Sequence, residues 1–360
     1  MSDKLETKNK QNIKEVDFKN KREINIPSEF IDKNEVNYSM SANFGKVSPH
    51  WFNFLSTWHF NAYKTFYDMD KYLIMIHLIQ KTFEHYTDIF IIISEEEFYK
   101  QTEFKIERIN LTEIVAELQM PKETVRRKIN EMIEENILSR KDKKILLTLE
   151  AFQWQKPKNS IKSLSKFLSK ASSFLATEEW FGKSATSEEI EEFTRKNFTL
   201  IWRFFFRFMI PFLKRTRKFY GDLETSTVAG AVFSNHVQRL QALHAEQPLS
   251  FKVNNFKAID AVEMNYLNWT KYLTTSKENI IGINASSISD ISGIPRATVI
   301  RKLKILKELD LISIDKKQLY KTGKLKKKVS RELELMFIKN QIELNKFIST
   351  FFELYKKPRF

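Results

Sequence analysis

Cysteine is absent from the 360-residue chain, and glycine and proline are scarce, at seven and eight residues. Without cysteine there is no disulfide framework, zinc-thiolate cluster, iron–sulfur centre or thiol nucleophile, and a reducing cytoplasm is the simplest setting. The glycines, Gly45, Gly182, Gly221, Gly230, Gly282, Gly293 and Gly323, are too widely spaced for a dinucleotide-binding loop or a phosphate-cradling P-loop, so nucleotide-driven chemistry is not expected. The histidines, His50, His59, His77, His85, His236 and His244, show no H-x3-H or HExxH spacing, and neither a metal site nor a cofactor is expected. The acidic clusters at Glu95-Glu96-Glu97 and around Glu188–Glu192 have no nucleophile or base beside them, so the chain is not read as an enzyme.

Long hydrophobic runs are also missing. The most apolar stretch, FTLIWRFFFRFMIPFL from Phe198 to Leu213, carries Arg203, Arg207 and Pro211 and is shorter than the roughly 20 residues a membrane span needs. It reads as a buried amphipathic helix in which Phe205, Phe208 and Phe212 recur at helical spacing. The N-terminal MSDKLETKNKQNIKEVDFKNKRE alternates charges without an apolar core, so neither export nor a membrane partner is expected.

What is abundant is positive charge: 60 Lys+Arg against 45 Asp+Glu, a formal +15. Such a balance suits a polyanionic partner such as nucleic acid. Lysine outnumbers arginine 45 to 15, as codon drift in an AT-rich genome also produces, so the distribution says more than the total. Residues 281–360 hold 18 Lys/Arg against 8 Asp/Glu, whereas residues 105–150 hold 10 against 9. The excess is concentrated near the C-terminus.

Two segments repeat. Leu111 to Thr148 reads LTEIVAELQMPKETVRRKINEMIEENILSRKDKKILLT, and Ser286 to Thr322 reads SSISDISGIPRATVIRKLKILKELDLISIDKKQLYKT. Setting Pro121 against Pro295 matches Thr124 with Thr298, Arg127 with Arg301, Lys128 with Lys302 and Ser139 with Ser313, given one deletion just before the first proline. A fainter echo pairs Phe66-Tyr67-Asp68-Met69-Asp70 with Phe219-Tyr220-Gly221-Asp222-Leu223-Glu224, each behind an aromatic helix containing Trp58 or Trp202. The duplicated unit is therefore expected to be a helical domain of roughly 100 residues.

In the second copy, Ile288, Ile291 and Ile294 line a short helix and its turn, Gly293 supplies the positive φ of a tight turn, and Pro295 opens the next helix. In that helix Val299, Leu303 and Leu306 face inward, while Ala297, Arg301 and Lys304 face outward with Thr298 and Ile300 on their flanks. Arg296 stands at the helix N-terminus, where free N–H groups can meet phosphate. Two β-prone runs then flank Asp315-Lys316-Lys317, and the first copy repeats the plan around Lys141-Asp142-Lys143-Lys144.

Both segments, and GIPRATVIRKLKILKELDLI from Gly293 to Ile312 above all, resemble the winged helix-turn-helix of bacterial transcription regulators of the MarR and IclR kind. The resemblance implies double-stranded DNA binding, with the second helix of each motif in the major groove and the hairpin wing against the backbone. The residues so implicated are Arg296, Ala297, Thr298, Ile300, Arg301, Lys302, Lys304, Lys316 and Lys317 in the second copy, and Lys122, Thr124, Arg126, Arg127, Lys128, Lys141 and Lys143 in the first. The lysine run continues through Lys321, Lys324, Lys326, Lys327 and Lys328. The first copy departs from the pattern at Gln119-Met120, where the turn glycine is missing, and at Glu123, which stands where the second copy has Ala297.

The expected architecture is mostly α, with two winged helix-turn-helix units in one chain. A disordered arm spans 1–45, the first unit 46–150, a linker and helix 151–179, the second unit 180–328, and a C-terminal packing helix 329–360. The apolar stripe of the last helix would dock the two halves or form a homodimer. Such a chain would be a pseudo-dimeric transcriptional regulator with two unlike recognition helices, the second dominant, and no small-molecule effector is identified. A plasmid or phage replication initiator, or a winged-helix protein-interaction module, is the alternative.

Overall fold

The computed structural model describes residues 33–88, 91–100, 109–141, 144–148, 151, 157–178, 181–243, 266, 280–323 and 327–356. Among these residues the chain is mostly helical, with two small hairpins. The elements fall into two series in which several helices match in length. The first runs α1 (Lys33–Ala42), α2 (Phe44–Phe66), α3 (Met69–Asp88), α4 (Glu95–Lys100), α5 (Leu111–Leu118), α6 (Lys122–Glu134), β1 (Leu138–Lys141), β2 (Lys144–Leu147) and α7 (Lys158–Leu175). The second runs α8 (Ser187–Lys196), α9 (Phe198–Tyr220), α10 (Leu223–Leu243), α11 (Ala285–Ser292), α12 (Arg296–Glu308), β3 (Ile312–Ile314), β4 (Tyr320–Thr322) and α13 (Lys327–Lys356). Helices α1 and α8 have 10 residues each, α2 and α9 have 23, α5 and α11 have 8, and α6 and α12 have 13. The upstream echo thus coincides with matched helices.

Local chemistry explains the element boundaries. Asn110 and Asn284 cap α5 and α11, their side chains accepting from the N–H groups of Glu113 at 3.0 Å and Ser287 at 2.8 Å. Both short helices end on a left-handed residue, Gln119 at φ 54° and Gly293 at φ 78°. The two copies therefore stay 174 residues apart from cap to proline, and no deletion separates them. Pro121 and Pro295 each stand one residue before the helix they introduce. Ile291 is 41% exposed, because α11 buries Ala285, Ile288 and Ser292 at helical spacing and leaves Ile291 off that face. In the hairpins Ser139 pairs with Leu146 and Ser313 with Lys321.

The two series are interlocked rather than side by side. Helix α3 packs on α9 and α2 on α10, while α7 lies against α8 and α1 against α13. Each helix pair also leans on the other series: α11 packs on α2, and Lys214 of α9 donates to the Glu117 carbonyl of α5. The contacts of the two series are thus reciprocal. Buried residues of both series consequently form one hydrophobic cluster. Its aromatic centre joins Phe54, Trp58, Trp202, Phe205 and Phe347, with Trp58 and Phe205 ring centroids 4.8 Å apart.

Three expectations change. Residues 33–42, placed in a disordered arm, form α1, because Val36 and Met40 bury against the core; residues 1–32 lie outside the described residues. The segment expected as a linker contains α7, whose Ile161, Leu164, Phe167, Leu168 and Ala171 are buried on one face. The apolar stripe of α13, including Phe347, Ile348, Phe351 and Phe352, is covered within the chain, so it offers no free face for a homodimer. No helix of the described residues is long and apolar enough to cross a membrane.

Candidate nucleic-acid interface

Helix α12 turns Val299, Leu303 and Leu306 into the core and leaves Arg296, Ala297, Ile300, Arg301, Lys304 and Lys307 exposed, with Thr298 half-buried. Among the described residues Arg301 and Lys304 make no ion pair or hydrogen bond. Arg296 Nε donates to Ser286 Oγ at 3.1 Å, which steadies its side chain across the turn. Lys316 and Lys317 project from the β3–β4 turn. That turn is held by Asp315, whose carboxylate accepts from the N–H groups of Leu319 at 3.0 Å and Lys317 at 2.9 Å and is thereby kept below the ordinary aspartate range. Glu308 is the one carboxylate on α12.

Helix α6 presents a more neutral surface. Lys122, Arg126 and Arg127 are exposed and Thr124 is half-buried, but Arg126 pairs with Glu123 at 2.5 Å and Arg127 lies 3.8 Å from Glu131. Lys141 is exposed at the end of β1; Lys143, Lys324 and Lys326 lie outside the described residues, as do the side chains of Lys327 and Lys328. The departure at Glu123 is thus a local one: the acid neutralises the arginine one turn away.

Two of the expected lysines are engaged within the chain by the same device. Lys302 is buried at 8% exposure and its ammonium bonds the Asp222 carboxylate at 2.5 Å. Lys128, its counterpart, reaches Asp68 at 2.7 Å and Glu131 at 3.0 Å. Both lysines point along the inner flank of their helix, toward the start of α10 or α3. Burial pushes the Asp222 carboxyl up, but the Lys302 ammonium and the Thr225 N–H and hydroxyl bring it below its ordinary value. Against the same opposing effect of burial, Asp68 and Glu131 hold Lys128 above the usual lysine range. The signal for these pairs was in the repeat, since the aspartates and the lysines recur together; a lysine alone on a helix face does not show which flank it takes.

The first copy achieves the glycine turn without glycine. Gln119 is exposed, so its left-handed backbone carries strain with no visible compensating contact. Gln119→Gly is expected to raise stability by about 1 kcal/mol, read as a higher denaturant midpoint at unchanged slope; a lower midpoint would show a Gln119 contact that matters more than the strain.

No family model, no curated protein and no solved structure matches the chain.

Proposed function

We propose that α5–α6–β1–β2 and α11–α12–β3–β4 are winged helix-turn-helix units and that the chain is a sequence-specific double-stranded DNA-binding protein acting as a transcriptional regulator. The observation that carries this reading is the outer face of α12: Arg301 and Lys304 are exposed without a partner beside small or apolar Ala297 and Ile300, and a lysine-bearing hairpin turn follows. In this reading α12 enters the major groove, Arg301 takes guanine O6 and N7, and Lys304, Lys316 and Lys317 neutralise phosphates. The matched but unlike helix α6, with its acids, serves a second, weaker half-site. A non-palindromic target follows, because the two recognition helices differ in sequence.

Arg301→Ala is expected to weaken binding to a selected DNA site by about 1–3 kcal/mol and to relax preference at one base pair. Arg127→Ala should lose less, since Glu131 already faces that arginine. Replacing Lys316 or Lys317 by alanine should lower the salt dependence by about one unit each while weakening all sequences alike. Salt titrations on a selected duplex check these outcomes. Equal losses at Arg301 and Arg127 would remove the dominance of the second unit, and affinity that stays near 10⁻⁴–10⁻⁶ M, roughly the non-specific range, for every sequence would point to a protein-interaction role instead.

A further inference from the structure

Between α2 of the first series and α9, α10 and α13 of the second lies a cavity of about 120 Å³. Its walls are mostly apolar, with Trp51, Phe212, Phe233, Leu333 and Phe337 among them. No carboxylate, ammonium or guanidinium group lines it among the described residues. Polar side chains do, Ser56, Thr216, Thr227 and Asn340 among them, and two of the polar residues each carry a buried atom without a partner. His59 and Gln341 are 4% and 6% exposed, and His59 Nε2 and Gln341 Oε1 are buried without any hydrogen-bond partner. Burial alone pushes the His59 imidazole down to about 4, so near neutral pH the ring is uncharged and can both donate and accept.

The cavity is also kept open by sequence. Gly230 lines it from within the 21-residue α10, and a Cβ placed there would meet no atom within 4 Å. Glycine inside a helix is unfavourable where alanine would fit, so the missing side chain preserves space rather than relieving a clash. Buried polar groups left unpaired are costly, and here two of them, on opposing helices, border the same apolar void.

We infer that this cavity is a binding site for a small uncharged ring compound bearing a hydroxyl or similar group, which donates to Gln341 Oε1 and meets the His59 imidazole while its ring fills the aromatic space. The volume is of the order that takes one six-membered ring, since an engineered apolar cavity of roughly 150 Å³ binds benzene. The inference does not depend on DNA binding. The wall helix α10 is, however, tied to the second helix pair and hairpin through Asp222–Lys302 and a hydrogen bond between His236 and Thr322 at 2.7 Å. Occupancy therefore acts on the α12 surface, a coupling whose effect on DNA rests on the function proposed above.

The test uses phenol and toluene, which match in size and differ in the hydroxyl, titrated calorimetrically into the full chain without DNA. Phenol is expected to bind saturably and more tightly than toluene. Gln341→Leu should weaken phenol about tenfold, the worth of one hydrogen bond of ordinary strength, with toluene unchanged. Gly230→Leu, checked for unaltered circular dichroism, should abolish both, and Gly230→Val serves if the larger side chain unfolds the protein. Absence of saturable phenol binding, survival of binding in the folded glycine variant, or equal loss of phenol and toluene in Gln341→Leu overturns the site. DNA affinity measured with and without saturating phenol reads the coupling separately: a change supports it, and identical values overturn the coupling while leaving the site intact.

Discussion

Phe205→Ala is expected to destabilise the whole chain by about 3–5 kcal/mol, the usual cost of truncating a fully buried phenylalanine. Phe205 is 0% exposed, and its ring stands 4.8 Å from Trp58, 5.2 Å from Trp202 and 5.6 Å from Phe347. Those neighbours come from α2, α9 and α13, so one truncation removes contacts of both series at once. Neighbouring rings cannot collapse into the gap without moving helices that also hold the other half. The second expectation is therefore cooperativity: tryptophan fluorescence and far-ultraviolet circular dichroism should report one coincident transition, shifted as a unit. Two transitions, with only one displaced, would show that each half has an independent core despite the interlocked packing.

Breaking the Lys302–Asp222 pair should cost about 2–3 kcal/mol, below the 3–5 of a fully buried pair because Asp222 retains some exposure. Lys302→Met keeps most of the aliphatic stem but leaves the carboxylate without its cation. The double variant Lys302→Met with Asp222→Asn should recover much of the loss, since a removed pair is less harmful than a half-removed one. The pH dependence has a definite sign. Because the folded pKa of Asp222 is lowered, its stabilisation is complete above the ordinary aspartate value and is lost as pH falls below about 4 toward the folded value. Asp222→Asn should remove that part of the acid limb. Lys302→Met should also leave the salt dependence of DNA binding unchanged; a drop of about one unit would mean that Lys302 reaches phosphate after all.

The repeat was legible because both copies keep the same residues where geometry is demanding: Pro121 and Pro295 before the second helix, Val125 and Val299, Ile129 and Leu303 on its inner stripe. Helical periodicity marked α9 and the outward faces of α6 and α12 for the same reason, since side chains three and four apart share a face. What local signals could not carry was partnership at long range. Arg203, Arg215 and Arg217 sit in a stretch without acids, yet they pair with Asp88, Glu343 and Asp70, residues 115 to 147 positions away.

Sequence alone therefore determined the absence of thiol chemistry, the duplicated helix–turn–helix–hairpin plan, and the excess of cations in the second copy, because these depend on composition and on spacing within a few turns. Only the tertiary structure decided that the two series pack reciprocally around one core, that the last helix packs against that core, and that Lys128 of α6 and Lys302 of α12 hold aspartates rather than facing outward. The physical reason is the same in each case: which surface a helix buries depends on the partner brought to it from far along the chain, and charge pairing follows distance in space, not order in sequence.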